Sequence, residues 1–217
     1  MTATNTIKVW DIGVRLFHWA LVACFVIAYI SSEGAEHGGV GEVLHAWSGY
    51  AIIALLVFRI VWGFIGSRYA RFSDFVFTPS AILAYIKDLF SGSPRRYLGH
   101  NPAGGIMVIL MLVSLIAVSW TGLKAYQAEG KGPLAAASHT PVIPVARADS
   151  WEQEEYEHHG TLGGEEDELW EEAHEATVNF MLLLIVLHLG GVALSSLLHR
   201  ENLPRAMWTG RKHVDGG

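Results

Sequence analysis

The sequence predicts an all-α fold, an integral membrane antiparallel four-helix bundle, on three observations. Its 217 residues are 51% hydrophobic and only 17% charged. The apolar residues are gathered into blocks of about 20 residues, the length an α-helix needs to cross a bilayer. Lysine and arginine cluster at alternate ends of those blocks. The composition excludes disorder, collagen and coiled coil. The one cysteine, Cys24, excludes an internal disulfide, a Cys-rich zinc site, an iron–sulfur cluster and a CxxCH attachment, and mid-span it reads as a small apolar residue.

The whole chain, 1–217, reads as a single transmembrane domain whose spans are expected at about 16–32, 43–66, 103–124 and 174–198. The first run follows Lys8 and Arg15, as a secretory signal would. It is longer than a usual signal core and carries His18 and Trp19, so it reads as a retained span. The bases Lys8 and Arg15, then Arg59, Arg68, Arg71, Lys87, Arg95 and Arg96, then Arg200, Arg205, Arg211 and Lys212 fall on one face if both termini are cytoplasmic. The connection 125–173 is instead acidic, with Glu129, Asp149, Glu152, Glu154, Glu155, Glu157, Glu165, Glu166, Asp167, Glu168, Glu171 and Glu172 against Lys131 and Arg147. This makes it the periplasmic or otherwise non-cytoplasmic loop of a multi-pass membrane protein. Between the second and third spans, Thr78 and Pro79 start a short helix to Phe90 whose face of Ile82, Leu83, Ile86, Leu89 and Phe90 lies on the membrane surface or against the bundle. From Glu129 to Gly164 no period is visible, and the stretch reads as loop.

Ionisable groups at membrane depth are rare and need an account, and His18, His45, His174 and His188 all lie there. A single membrane histidine is explained by a hydrogen bond to a neighbouring helix. Four are harder to explain so. His174 and His188 are 14 residues apart, about 21 Å along a helix and about 40° short of four turns, so they share a face. Span direction puts His18 and His188 in the inner half and His45 and His174 near the outer surface. Two stacked histidine pairs suit two planar cofactors, each clamped between imidazoles, and haem b needs no covalent cysteine. Ser48, Gly49, Gly190 and Gly191 leave room for a macrocycle or serve plain helix packing. Arg59, on the face of His45 and about 21 Å further in, pairs with propionates of an inner haem or snorkels to the cytoplasmic headgroups.

These residues carry a resemblance. The stretches Val9-Trp-Asp-Ile-Gly-Val-Arg-Leu-Phe-His-Trp19, Leu44-His-Ala-Trp-Ser-Gly-Tyr50, Phe58-Arg-Ile-Val-Trp-Gly63, Leu98-Gly-His-Asn-Pro-Ala-Gly-Gly105 and Glu201-Asn-Leu-Pro-Arg-Ala-Met207, with His174 and His188, resemble the bacterial dihaem cytochrome b-561 family. That family includes the b-type cytochrome subunit of nickel–iron hydrogenases. The resemblance implies a bundle with two b haems that moves electrons between the quinone pool and a protein partner. It carries the axial ligands onto His18, His45, His174 and His188, in agreement with the depth argument, as pairs His18/His188 and His45/His174. The long acidic stretch departs from the family pattern and favours a periplasmic redox protein other than a hydrogenase.

The expected function is therefore a membrane dihaem b-type cytochrome, an electron-transfer subunit with quinone oxidoreductase activity. Its expected partners are lipid, quinone as a diffusible substrate, and a periplasmic redox protein, cytochrome c-like or a dehydrogenase or hydrogenase, docking at loop 125–173. No nucleic acid is expected, and a homo-oligomer is compatible with the bundle. Two rivals stand beside it: a stand-alone quinone-linked oxidoreductase acting on a small species such as superoxide, and a metal or proton transporter using the intramembrane histidines. His100 and His199, at the cytoplasmic edge, either exchange protons with quinone or make interfacial polar contacts. His158 and His159 among glutamates read as a solvated loop in preference to a metal site. Trp10, Trp47, Trp120, Trp170 and Trp208 fit an interfacial aromatic belt.

Overall fold

Apolar blocks with no helix breaker inside them become helices, and the computed structural model, which describes residues 5–35, 39–92, 94–138 and 156–214, contains the expected four. They are α1 (Ile12–Ala35), α2 (Val40–Ile65), α4 (Pro102–Ala128) and α6 (Tyr156–Leu198). Each is long and apolar enough to cross a membrane. Shorter helices α3 (Pro79–Phe90), α5 (Gly132–Ser138) and α7 (Leu203–Thr209) lie between and after them, and strands β1 (Asn5–Lys8) and β2 (Arg211–Val214) bracket the whole. The chain divides into two compact units, Met1–Val113 with Leu183–Gly217, and Ser114–Leu182.

In the first unit α1 and α2 form a tight antiparallel hairpin. Gly13 lies against Trp62, Phe17 against Phe58 (ring centroids 6.5 Å apart), and Gly34 against Gly41, where a Cβ on Gly41 would come within 2.5 Å of the Gly34 backbone. Asp11 caps α1 by accepting from the Val14 amide at 2.9 Å, and it also accepts from the Trp62 indole at 3.2 Å and from the Ser67 hydroxyl. One carboxylate thus ties the start of α1 to the end of α2. The buried positions of α2, Ser48, Ile52, Leu56, Arg59 and Gly63, make a single stripe of helical period.

The two strands were not foreseen. β1 and β2 pair antiparallel, Asn5 opposite Val214 and Lys8 opposite Arg211, so the two ends of the described chain meet on one side, as an even number of spans requires. Gly210 ends α7 at φ 78°, and a Cβ there would lie 2.6 Å from the Trp10 carbonyl; the turn into β2 therefore needs glycine. Beside this clasp the nearly inaccessible Lys212 meets Glu201 at 3.5 Å, and Glu201 also receives Arg96 at 2.6 Å. Helix α3 starts where expected, with the Thr78 hydroxyl accepting from the Ala81 amide. Its buried residue is Tyr85, whereas Leu83 and Phe90 are exposed, so this part of its apolar face is turned away from the protein, as on a membrane surface.

In the second unit the stretch expected as irregular is partly helical. α5 occupies Gly132–Ser138, and α6 begins at Tyr156, 18 residues ahead of the expected span start at His174, giving a helix of 43 residues. The physical reason is propensity: glutamate, leucine and alanine between 165 and 176 are strong helix formers, and the apolar span beyond them supplies a continuous nucleus to extend from. Apolarity located the membrane portion and missed the polar extension. The remainder of the expected acidic loop, 139–155, lies outside the described residues, as do the side chains of His158 and His159.

Candidate functional site

In the first unit His18 lies on α1 with its Nδ1 inaccessible and without a hydrogen-bond partner among the described residues. Its ring stands edge-on to Trp19 at 5.1 Å. His188 lies on the part of α6 that belongs to the same unit. His45, on α2, has Nδ1 2.9 Å from the Ala28 carbonyl of α1. A carbonyl only accepts, so this nitrogen carries the proton and the imidazole lone pair sits on Nε2.

Arg59 does not reach for headgroups. It is 4% exposed, its Nη1 donates to the Ala70 carbonyl at 3.2 Å, and its guanidinium lies over the rings of Phe72 and Phe75 at 5.2 and 5.6 Å. No carboxylate ion-pairs with it among the described residues. A buried cation with no carboxylate in direct contact among the described residues suits an anionic group of a ligand. His100 stands nearby, its ring between Trp10 and Phe75 at 4.7 Å from each, and its Nδ1 is another inaccessible nitrogen without a partner. Burial, then the positive charges of Arg59 and Lys212 and the neighbouring His188, hold its pKa down at about 3. It also borders a cleft of about 290 Å³ with Arg68, Tyr69, Asp74, Arg96 and Tyr97.

In the second unit His174 is seated from α4. Its Nδ1 is 3.1 Å from the Thr121 hydroxyl, and its ring lies so close to Gly122 that a Cβ there would come within 2.9 Å of Cε1. The sequence reading missed Thr121, Gly122 and the Ala28 carbonyl. A Thr-Gly pair within a largely apolar span was the available signal for the first two; a backbone acceptor leaves none.

Residues 9–210 match the family described as prokaryotic cytochrome b561. This chain belongs to that family. The cytochrome is also similar to probable Ni/Fe-hydrogenase B-type cytochrome subunits: 25% identical to that of Azotobacter vinelandii over 59% of this chain and 62% of the relative, 21% to that of Rhizobium leguminosarum bv. viciae over 96% and 89%, and 24% to that of Cupriavidus necator over 93% and 85%. The chain thus spans 62% of the length of the Azotobacter relative it matches. No solved structure matches it.

Membership implies haem b, and the residues present fit that group. A haem needs an imidazole lone pair, space for a macrocycle and a counter-charge for its propionates. His45 is held in the Nδ1–H tautomer, a Cβ built at Gly49, Gly190 or Gly191 would meet nothing within 4 Å, and Arg59 carries a buried positive charge. Among the described residues no three His, Cys, Asp or Glu side chains converge as a bare metal ion would require.

Proposed function

We propose that this cytochrome b561 carries electrons across the bacterial inner membrane through two b haems, between a periplasmic redox protein and the quinone pool. His18, His45, His174 and His188 supply the axial ligands, paired as their depths on the spans predict, and Arg59 holds propionate. The observation that carries this reading is the donation from His45 Nδ1 to the Ala28 carbonyl, which leaves the imidazole in the tautomer a metal-ligating histidine adopts. Bound haem iron supplies one-electron chemistry. The chain's own contributions are orientation of the imidazoles, an apolar sheath of lipid-facing Leu, Val and Ile, and a buried cation at Arg59 that stabilises negative charge beside it.

The pairing of the two termini agrees with both ends lying in the cytoplasm, the side on which Lys and Arg cluster. The acidic segment before and within the start of α6 then faces the periplasm, where it attracts a basic redox partner. The relatives' names make a hydrogenase-type enzyme one such partner. The test is the reduced-minus-oxidised spectrum and the haem-to-protein ratio of the purified protein, followed by reduction with a quinol. Two b haems reducible by quinol are expected. A colourless protein would overturn the reading.

A further inference from the structure

We infer that Thr121 is a positioning residue for His174, fixing the tautomer and ring plane of that histidine through its hydroxyl oxygen and thereby lowering the potential of the haem that His174 serves. The inference rests on the ligand reading above. It comes from counting hydrogens in the second unit. Thr121 Oγ1 lies 2.9 Å from the Ala117 carbonyl, 3.1 Å from the Val118 carbonyl, 3.0 Å from Thr177 Oγ1 and 3.1 Å from His174 Nδ1. Thr177 in turn donates to the His174 carbonyl at 2.9 Å. Each hydroxyl has a single hydrogen, and carbonyls only accept. The Thr177 hydrogen is committed to the His174 carbonyl. We assign the Thr121 hydrogen to the Ala117 carbonyl, its nearest acceptor at 2.9 Å and the usual partner of a helical threonine. The contact with the imidazole is then filled by a proton on Nδ1, donated to Thr121.

That proton puts the ring's lone pair on Nε2. Thr121 is 8% exposed, so this hydrogen bond is made away from water. Gly122 completes the seat, because the ring occupies the volume a Cβ would take. A bond from Nδ1–H to an oxygen makes an imidazole more electron-rich and favours the oxidised iron it binds. Without it, that haem is easier to reduce.

The test uses the full-length, haem-loaded protein, titrated potentiometrically in the visible and examined by electron paramagnetic resonance. With Thr121→Val both haems are expected to stay, one of them titrating at a higher potential with a shifted resonance of its oxidised form. Thr121→Ser is expected to restore both signals, and Thr121→Ala to behave as valine does. Because valine leaves the Nδ1 proton buried without an acceptor, the Ser and Ala pair decides the matter if the valine variant fails to assemble. Equal behaviour of Ser and Ala, or unchanged potentials and resonances in Thr121→Val, would overturn the role of Thr121. His174→Ala separates the two levels: loss of one haem sustains the ligand reading whatever Thr121 does, and retention of both sinks that reading itself.

Discussion

His174 and His18 are both histidines on membrane-spanning helices, and they are held in opposite ways. His174 has a hydroxyl on its Nδ1 and a glycine against its ring, and Thr177 satisfies its own backbone carbonyl. His18 has an inaccessible Nδ1 with no partner among the described residues and is oriented by packing beside Trp19. An unsatisfied buried N–H costs about 1–3 kcal/mol, and such costs persist where a function or a bound group requires the geometry. The difference teaches that one imidazole is set by hydrogen bonding from a neighbouring helix, whereas the other is oriented by packing, with no partner on its Nδ1 among the described residues.

The largest expected effect tests whether the two histidines are comparable at all. His18→Ala and His174→Ala are each expected to remove one b haem, read as a fall in haem-to-protein ratio from two to one; a variant that keeps both would break the comparison.

Next in size is the polar framework around the terminal clasp. Glu201→Gln withdraws the anion from Lys212, whose ammonium burial already disfavours and Glu201 supports. About 3 kcal/mol of stability is expected to be lost, because a buried cation is left unpaired. Thermal unfolding measures it.

Gly122→Ala sharpens the comparison from the other side. A Cβ 2.9 Å from the His174 ring forces a shift, with an expected cost of about 1–3 kcal/mol and a changed resonance for the His174 haem alone. An unchanged spectrum would show that the ring does not depend on that seat.

A last effect is in pH. His100 is held neutral, its pKa at about 3 against 6.5 when unfolded, by burial and by facing Arg59, Lys212 and His188. Its folded pKa is depressed, so its contribution to stability is intact above pH 6.5 and is lost as pH falls from there toward 3. The slope is at most about 1.4 kcal/mol per pH unit. Unfolding temperatures of wild type and His100→Gln should therefore converge between pH 6.5 and 4 if the variant starts lower; parallel curves would remove His100 from the account.

Much of the fold was legible because its signals are one-dimensional. Apolar blocks marked α1, α2 and α4 to within a few residues, and Thr78 and Pro79 announced the start of α3. The start of α6 was misread, because Glu165 to Glu172 have helix propensity but no apolar face to reveal it. The β1–β2 clasp was invisible for another reason: four residues at each end have no pattern until they find one another across about 200 positions of chain.

The histidines themselves, their depths and the stripe shared by His45 and Arg59 follow from helical spacing, which is a property of sequence. Which nitrogen of His45 bears a proton, what seats His174, and that Arg59 turns inward between Phe72 and Phe75 were decided only in three dimensions. Spacing assigns a residue to a face and a depth. The partner waiting there, a carbonyl of Ala28 or a hydroxyl of Thr121, comes from a distant part of the chain, and only packing brings it within hydrogen-bond reach.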